Sequence, residues 1–199
     1  MHTHAEDSLT PKQIKANRIK LFVLFFIPFA ILTAAYLMFY SGIGIPSGTT
    51  NKGELLQPPV ALEEVGFTDI ANDAAPYPLN NGFWHIVLPV AEPCTDYCQQ
   101  RLYITRQVHL RLGKKGDDLA RVVIMTSPPS PEFSMFMAEH HPYTKVLLVS
   151  DDDFARSFEA LNVNEGDYFL SDPRAWMMMG YREVHQGEDL LDDLKKLLR

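Results

Sequence analysis

Leu21 to Tyr40 reads LFVLFFIPFAILTAAYLMFY, twenty residues without a charged side chain. A helix of that length covers about 30 Å, the thickness of a bilayer's hydrocarbon core. So long a run divides the chain into a membrane helix and whatever precedes and follows it. Pro28 inside it is compatible with a membrane helix, where neighbouring groups re-satisfy the freed carbonyl. Lys12, Lys15, Arg18 and Lys20 precede the run, and no Lys or Arg follows until Lys52. That asymmetry places residues 1–20 in the cytoplasm and 41–199 across the membrane. A cleaved signal peptide is the rival reading, but the run exceeds a usual signal core and no clean A-x-A site follows. The expectation is an uncleaved, single-pass anchor. The leader is not Arg- and Ser-rich or acid-poor, which favours a bacterial inner membrane with a periplasmic domain.

The whole chain holds 18 Lys and Arg against 25 Asp and Glu, and the part beyond the anchor is more acidic still. An acidic outer domain disfavours nucleic acid or anionic lipid as its ligand. Ser41 to Pro59 is rich in Gly, Pro, Ser and Thr and reads as a linker. Val60 to Asn81 has weak periodicity and several breakers, so residues 41–82 are expected to be linker and domain edge.

The domain proper is expected over 83–199. Phe83 to Val90 is aromatic and β-branched, bounded by Gly82 and broken by Pro89, as a buried strand would be. From Thr95 the apolar positions fall at helical spacing until Gly113. Ala120–Thr126 and Thr144–Ser150 are further apolar strands. Ser130-Pro131-Glu132 starts a helix running to His140, and acids open another over Asp151–Asn162. Asp167–Ser171 and Ala175–Tyr181 form a hairpin, and Gly187–Arg199 is an amphipathic helix. The order β-α-β-α-β-α-β-β-α predicts an α/β fold, a three-layer sandwich with helices on both faces of a mixed sheet.

Cys94 and Cys98, the only cysteines, lie where the first strand gives way to the first helix, an edge where open sheets place their ligands. A helix N-terminus favours thiolate, although Glu92 and Asp96 oppose it. A bridge over so short a span removes little unfolded-chain entropy, which favours a redox or metal site over a static staple. Thiolates suit Cu(I), and a dithiol can reduce or oxidise a partner. The hairpin should return His185 to the cysteines' edge, making it the best candidate for a third ligand. His140 and His141 should sit at the opposite edge. His85 reads as a satisfied, half-buried strand residue. His109 lies roughly 16 Å along the helix from Cys98 and cannot join it at one ion. Met177-Met178-Met179 alternate faces and read as packing, as do Met135, Met137, Trp84 and Trp176. Asp151–Asp153 read as a solvated helix start.

The anchor, the strand order and Cys94-Thr95-Asp96-Tyr97-Cys98 resemble the Sco/SenC proteins over residues 83–199, a thioredoxin-like fold. The ending YFLSDPRAWMMMGYREVHQGEDLLDDLKKLL is similar to theirs. The resemblance implies copper held by Cys94, Cys98 and a distant histidine, and service in assembling the copper centre of cytochrome c oxidase. The client would be an oxidase subunit in the same membrane. The sequence departs in three places. Leu161–Gly166 holds no histidine, Ser127–Pro131 replaces an acidic Asp-Pro loop, and no proline precedes Asp167. Three functions stay open: copper delivery, thiol–disulfide reduction of a client, or an assembly scaffold with a static disulfide.

Overall fold

A computed structural model describes residues 11–41 and 50–198. The chain divides into two compact units, Met1–Thr50 and Asn51–Arg199. Helix α1 (Pro11–Ser41) is 31 residues long, about 46 Å, and buries none of its side chains. It is long and apolar enough to cross a membrane. It extends the expected Leu21–Tyr40 backwards through Lys12–Lys20, a stretch the sequence reading made a tail. Residues 1–10 and 42–49, the far tail and most of the Gly/Pro-rich linker, lie outside the described residues.

The second unit contains β1 (Glu54–Ala61), β2 (Thr68–Asp69), β3 (Ala75–Pro76), β4 (Trp84–Pro89) and α2 (Asp96–Leu112). It continues with β5 (Leu119–Met125), α3 (Pro131–His140), β6 (Thr144–Leu148) and α4 (Asp151–Phe158). The hairpin β7 (Tyr168–Ser171) and β8 (Trp176–Tyr181) and the last helix α5 (Gly187–Leu197) complete it. The strands form one mixed sheet in the order β1-β8-β7-β4-β5-β6-β2-β3. β4, β5 and β6 are parallel, and β7 runs antiparallel to β4. This is the three-layer α/β sandwich that the element order predicts.

Alternation along the strands builds two cores. Val123 and Met125 of β5 join Leu102 of α2, Phe133 and Met137 of α3, and Leu190 and Leu194 of α5. Val122 and Ile124 face the other way, with Phe158 of α4 and Leu56, Leu62 and Phe67 from the segment before β4. Helix starts follow the expected chemistry. Ser130 Oγ accepts the Phe133 N–H at 3.1 Å, and Ser150 Oγ accepts that of Asp153 at 3.1 Å.

The compact unit begins at Asn51, not at residue 83. β1 pairs antiparallel with β8, β2 pairs with β6, and both stretches were expected to be linker or edge. Asp193 on α5 ties that start down. Its buried carboxylate accepts the N–H groups of Lys52 (2.9 and 2.8 Å) and Gly53 (2.9 Å) and the Tyr181 hydroxyl (3.1 Å). Gly53 is required there, since a Cβ would come within 2.7 Å of the Tyr181 ring.

Several side chains differ from expectation. Trp176, on a strand paired at its outer edge by β1, is 39% exposed, and Met135 projects into solvent on α3. His85 is wholly buried and neither ring nitrogen has a hydrogen-bond partner. Its burial lowers the imidazole pKa to about 4. The methionine run does not simply alternate. A bulge between the Ser171–Met177 and Leu170–Met179 pairs sends Met177 into one core and Met179 into the other.

Candidate functional site

β4 runs out at Pro89, and Val90 adds one more ladder bond to the Ile124 carbonyl at 2.9 Å. Four residues later the chain reaches Cys94, just before the cap of α2. The cap is Thr95, whose Oγ1 accepts the N–H of Cys98. Cys94 thus stands outside the helix and only Cys98 belongs to its first turn, a narrower placement than two thiols within one turn. The two are joined in a disulfide, with Cα atoms 5.3 Å apart. Cys98 is buried, 4% exposed, whereas Cys94 is half-exposed. An incoming thiol therefore reaches the Cys94 sulfur first. Cys98 lies in the first turn of α2, at the positive end of the helix dipole.

The loop before β7 holds the cap in place. Glu165 Oε1 accepts from Thr95 N at 3.2 Å and from Thr95 Oγ1 at 2.5 Å. On the other side, Glu92 Oε1 accepts the Ser130 N–H at 2.8 Å, tying the cysteine loop to the start of α3. Gln99 Nε2 donates to the Cys94 carbonyl at 3.3 Å.

Arg101 follows Cys98 by three residues and so lies on the same helix face. It is 4% exposed, yet its partners are neutral: the carbonyls of Gly166 (2.9 Å), His185 (3.0 Å) and Arg182 (3.0 Å). Its guanidinium packs 4.6 Å from the centre of the Tyr168 ring. Burial pushes the Tyr168 hydroxyl up to about 12, so it stays protonated. Among the described residues Arg101 has no ion pair, and its cation stands one helical turn from the disulfide.

Two hollows flank the bridge. One, of about 620 Å³, opens on Cys98 with Leu88, Phe154 and Val163 as apolar wall and Arg101 beside them. Glu92, Asp151 and Glu165 give its lining acidic character. The other, of about 540 Å³, touches Cys94, between Pro93, Gln99, Phe133 and Phe136. A polypeptide segment crossing the bridge has room on both sides.

His185 is used differently from the expected metal ligand. It closes the turn after β8, where its Nδ1 accepts the Arg182 N–H at 2.9 Å and its carbonyl accepts from Arg101. Its ring meets Tyr181 edge-on at 5.8 Å. Among the described residues no three His, Cys, Asp or Glu are gathered as ligands to one ion. The three-ligand copper set of Cys94, Cys98 and His185 is thus not assembled, and the bridged sulfurs offer no thiolate. Sequence reasoning missed Arg101 and Glu165. The spacing of Arg101 from Cys98 was legible, but its burial depends on carbonyls from residues 166–185.

A half-exposed cysteine bridged to a buried one, at the carboxyl edge of the parallel strands, defines a thioredoxin-like protein with a two-cysteine centre. The chain belongs to the family described as the transmembrane-like, thioredoxin-like, C-terminal domain, whose model matches residues 84–199. No curated protein sequence matches it. Among solved structures, copper-bound yeast Sco1 aligns with a TM-score of 0.56 at 15% identity, covering 75% of this chain and 94% of that one. Copper-bound ScoI of Bradyrhizobium japonicum aligns with 0.52 at 15% identity, covering 66% and 96%. The thioredoxin domain of a Bacteroides vulgatus thiol-disulfide oxidoreductase aligns with 0.53 at 18% identity, covering 70% and 96%. These likenesses establish the shared fold.

Proposed function

We propose that this chain is a membrane-anchored thiol–disulfide exchange protein acting through Cys94 and Cys98. The observation that carries the reading is the asymmetry of the bridge, with Cys94 reachable and Cys98 buried at a helix N-terminus. In the reduced protein the Cys94 thiolate attacks a client disulfide, forms a mixed disulfide and releases one client thiolate. The Cys98 thiolate then attacks the Cys94 sulfur and releases the second. The client leaves as a dithiol, Cys94–Cys98 is oxidised, and a protein dithiol donor must restore it. The likeness of residues 94–98 to Sco/SenC proteins supports a client that is a subunit of a respiratory cytochrome oxidase. The charge asymmetry around α1 supports an inner-membrane anchor with the N-terminus cytoplasmic and the domain periplasmic.

A second reading treats Cu(I) as cargo, carried by the reduced pair. The observation in its favour is that the fold holds both sulfurs at one point, where two soft thiolates suit that ion.

The test uses the full chain in detergent micelles. Its midpoint potential is measured by equilibration with glutathione, and the Cys98→Ser and Cys94→Ser variants are expressed in membranes. Exchange predicts a potential inside the oxidoreductase range and a mixed disulfide that accumulates with Cys98→Ser and is absent with Cys94→Ser. A potential below about −300 mV with no trapped client means a static bridge, and the exchange reading fails. An anaerobic Cu(I) competition on the reduced chain decides the second reading. One-to-one binding lost in both serine variants supports it, and no competitive binding removes it.

A further inference from the structure

The edge of the sheet away from the disulfide carries a cluster that the exchange chemistry does not use. Arg121 lies near the start of β5 and is paired in register with Thr144, the first residue of β6. In adjacent parallel strands such partners project from the same face. His141 caps the end of α3 beside them, its carbonyl accepting the Thr144 N–H at 2.9 Å. All three side chains are buried: Arg121 is 4% exposed, His141 2% and Thr144 9%. All three also have polar atoms without partners, namely Arg121 Nε and Nη1, His141 Nδ1 and Thr144 Oγ1.

The charges that act on Arg121 and His141 have one sign. Arg106 on α2 is felt by both Arg121 and His141, and His140 adds to the field at His141. Burial comes first in lowering Arg121 to about 10 and His141 to about 4, and neighbouring cations push the same way. Asp117 faces His109, whose imidazole is also lowered by burial and by Arg121. Among the described residues Arg121 has no ion pair. An unpaired guanidinium out of water is costly, and buried donors in folded proteins are nearly always satisfied. The partial negative charge at the end of α3 helps, but no carbonyl there accepts from Arg121.

We propose that Arg121, His141 and Thr144 form a binding site for a small phosphate-type oxyanion, between α2 and α3 at the sheet edge opposite the disulfide. Guanidinium, imidazole and hydroxyl groups are neighbours there and each holds an unpaired polar atom, and the anion supplies the missing negative charge. His141 donates from Nδ1 as the neutral tautomer, so the site does not require its protonation. The anion's source is free phosphate or, against the acidity of the domain as a whole, the phosphodiester of a lipid headgroup, which presents the same oxygens.

The experiment follows thermal unfolding of the full chain in detergent micelles with rising inorganic phosphate, against sodium chloride at matched ionic strength. A site of this kind gives a saturable rise in Tm of about 5 °C at a hundredfold excess over Kd. Arg121→Met abolishes the rise and Arg121→Lys keeps part of it. Should Arg121→Met fail to fold, Thr144→Ala and His141→Asn each weaken the phosphate response several-fold. A second arm compares nanodiscs of phosphatidylglycerol with nanodiscs of a lipid bearing no phosphate. Protection by the first that disappears in Arg121→Met assigns the headgroup as the source. The proposal is overturned when neither phosphate nor the phospholipid raises Tm beyond chloride. It is equally overturned when the folded Arg121 and Thr144 variants respond as the wild type does.

Discussion

At the scale of single residues, the feature that sets the centre apart is Arg101. It carries a full charge into the interior beside Cys98 and meets only carbonyl dipoles and an aromatic face. A nearby cation stabilises thiolate more than disulfide, so it favours the reduced couple. Replacing Arg101 with Met removes that preference and should lower the midpoint potential by on the order of 30 mV, equivalent to about 1.4 kcal/mol. Arg101→Lys keeps the charge and should hold the potential near wild type, although it loses the planar fork that reaches three carbonyls. Both variants should lose stability, Arg101→Met by about 3 kcal/mol because buried acceptors are left unpaired. Equilibration against glutathione, scored by thiol alkylation, separates the two effects. An unchanged potential in folded Arg101→Met means the charge does not reach the sulfur.

At the scale of elements, the strand–helix alternation from β4 onward was legible because each piece carries its own signal. β4 and β5 are apolar runs long enough to be read as buried strands, and α3 and α4 begin at Ser caps with acids following. The strands β1, β2 and β3 were not legible. β1 contains Pro58 and Pro59, and β2 and β3 have two residues each, so they owe their strand character to the edges they pair with. The cysteine pair was legible from spacing and position. Arg101 and Arg121 were not, since each sits in an ordinary pattern and becomes notable only through what surrounds it. The expected place of His185 was a topological guess, and the turn after β8 uses its Nδ1 to accept an N–H instead. β1 owes its position also to Asp193, which collects Lys52 N, Gly53 N and Tyr181 Oη. Asp193→Ala strands three donors, two of them buried, and should cost about 3 kcal/mol in urea unfolding, with faster hydrogen exchange in 53–56 than in β4. The partly exposed Lys196 at 3.7 Å adds little. A change under about 0.5 kcal/mol means β1 is held by its ladder with β8 alone.

At the scale of the whole molecule, the chain joins two units with opposite demands on solvent. α1 exposes every one of its apolar side chains, and the unit from Asn51 buries two cores and carries an acidic surface. A bilayer would reconcile the first with water, and the charge asymmetry flanking it bears on which way the second would face. Lys12, Lys15, Arg18 and Lys20 lie within one short segment before the apolar run, the range over which positive charge is retained on the cytoplasmic side. Orientation then decides chemistry, because a dithiol meets different redox partners on the two sides of a membrane. Neutralising those four residues to Gln and inserting four Lys after Ser41 should invert the protein. The readout is an impermeant maleimide applied to intact spheroplasts after mild reduction. The wild type should be labelled at half-exposed Cys94 while the recharged variant is labelled only after lysis. Equal labelling of both before lysis means the flanking charges do not set the topology. Labelling of neither before lysis, with both labelled after it, places the domain in the cytoplasm and removes the periplasmic client from the proposed function.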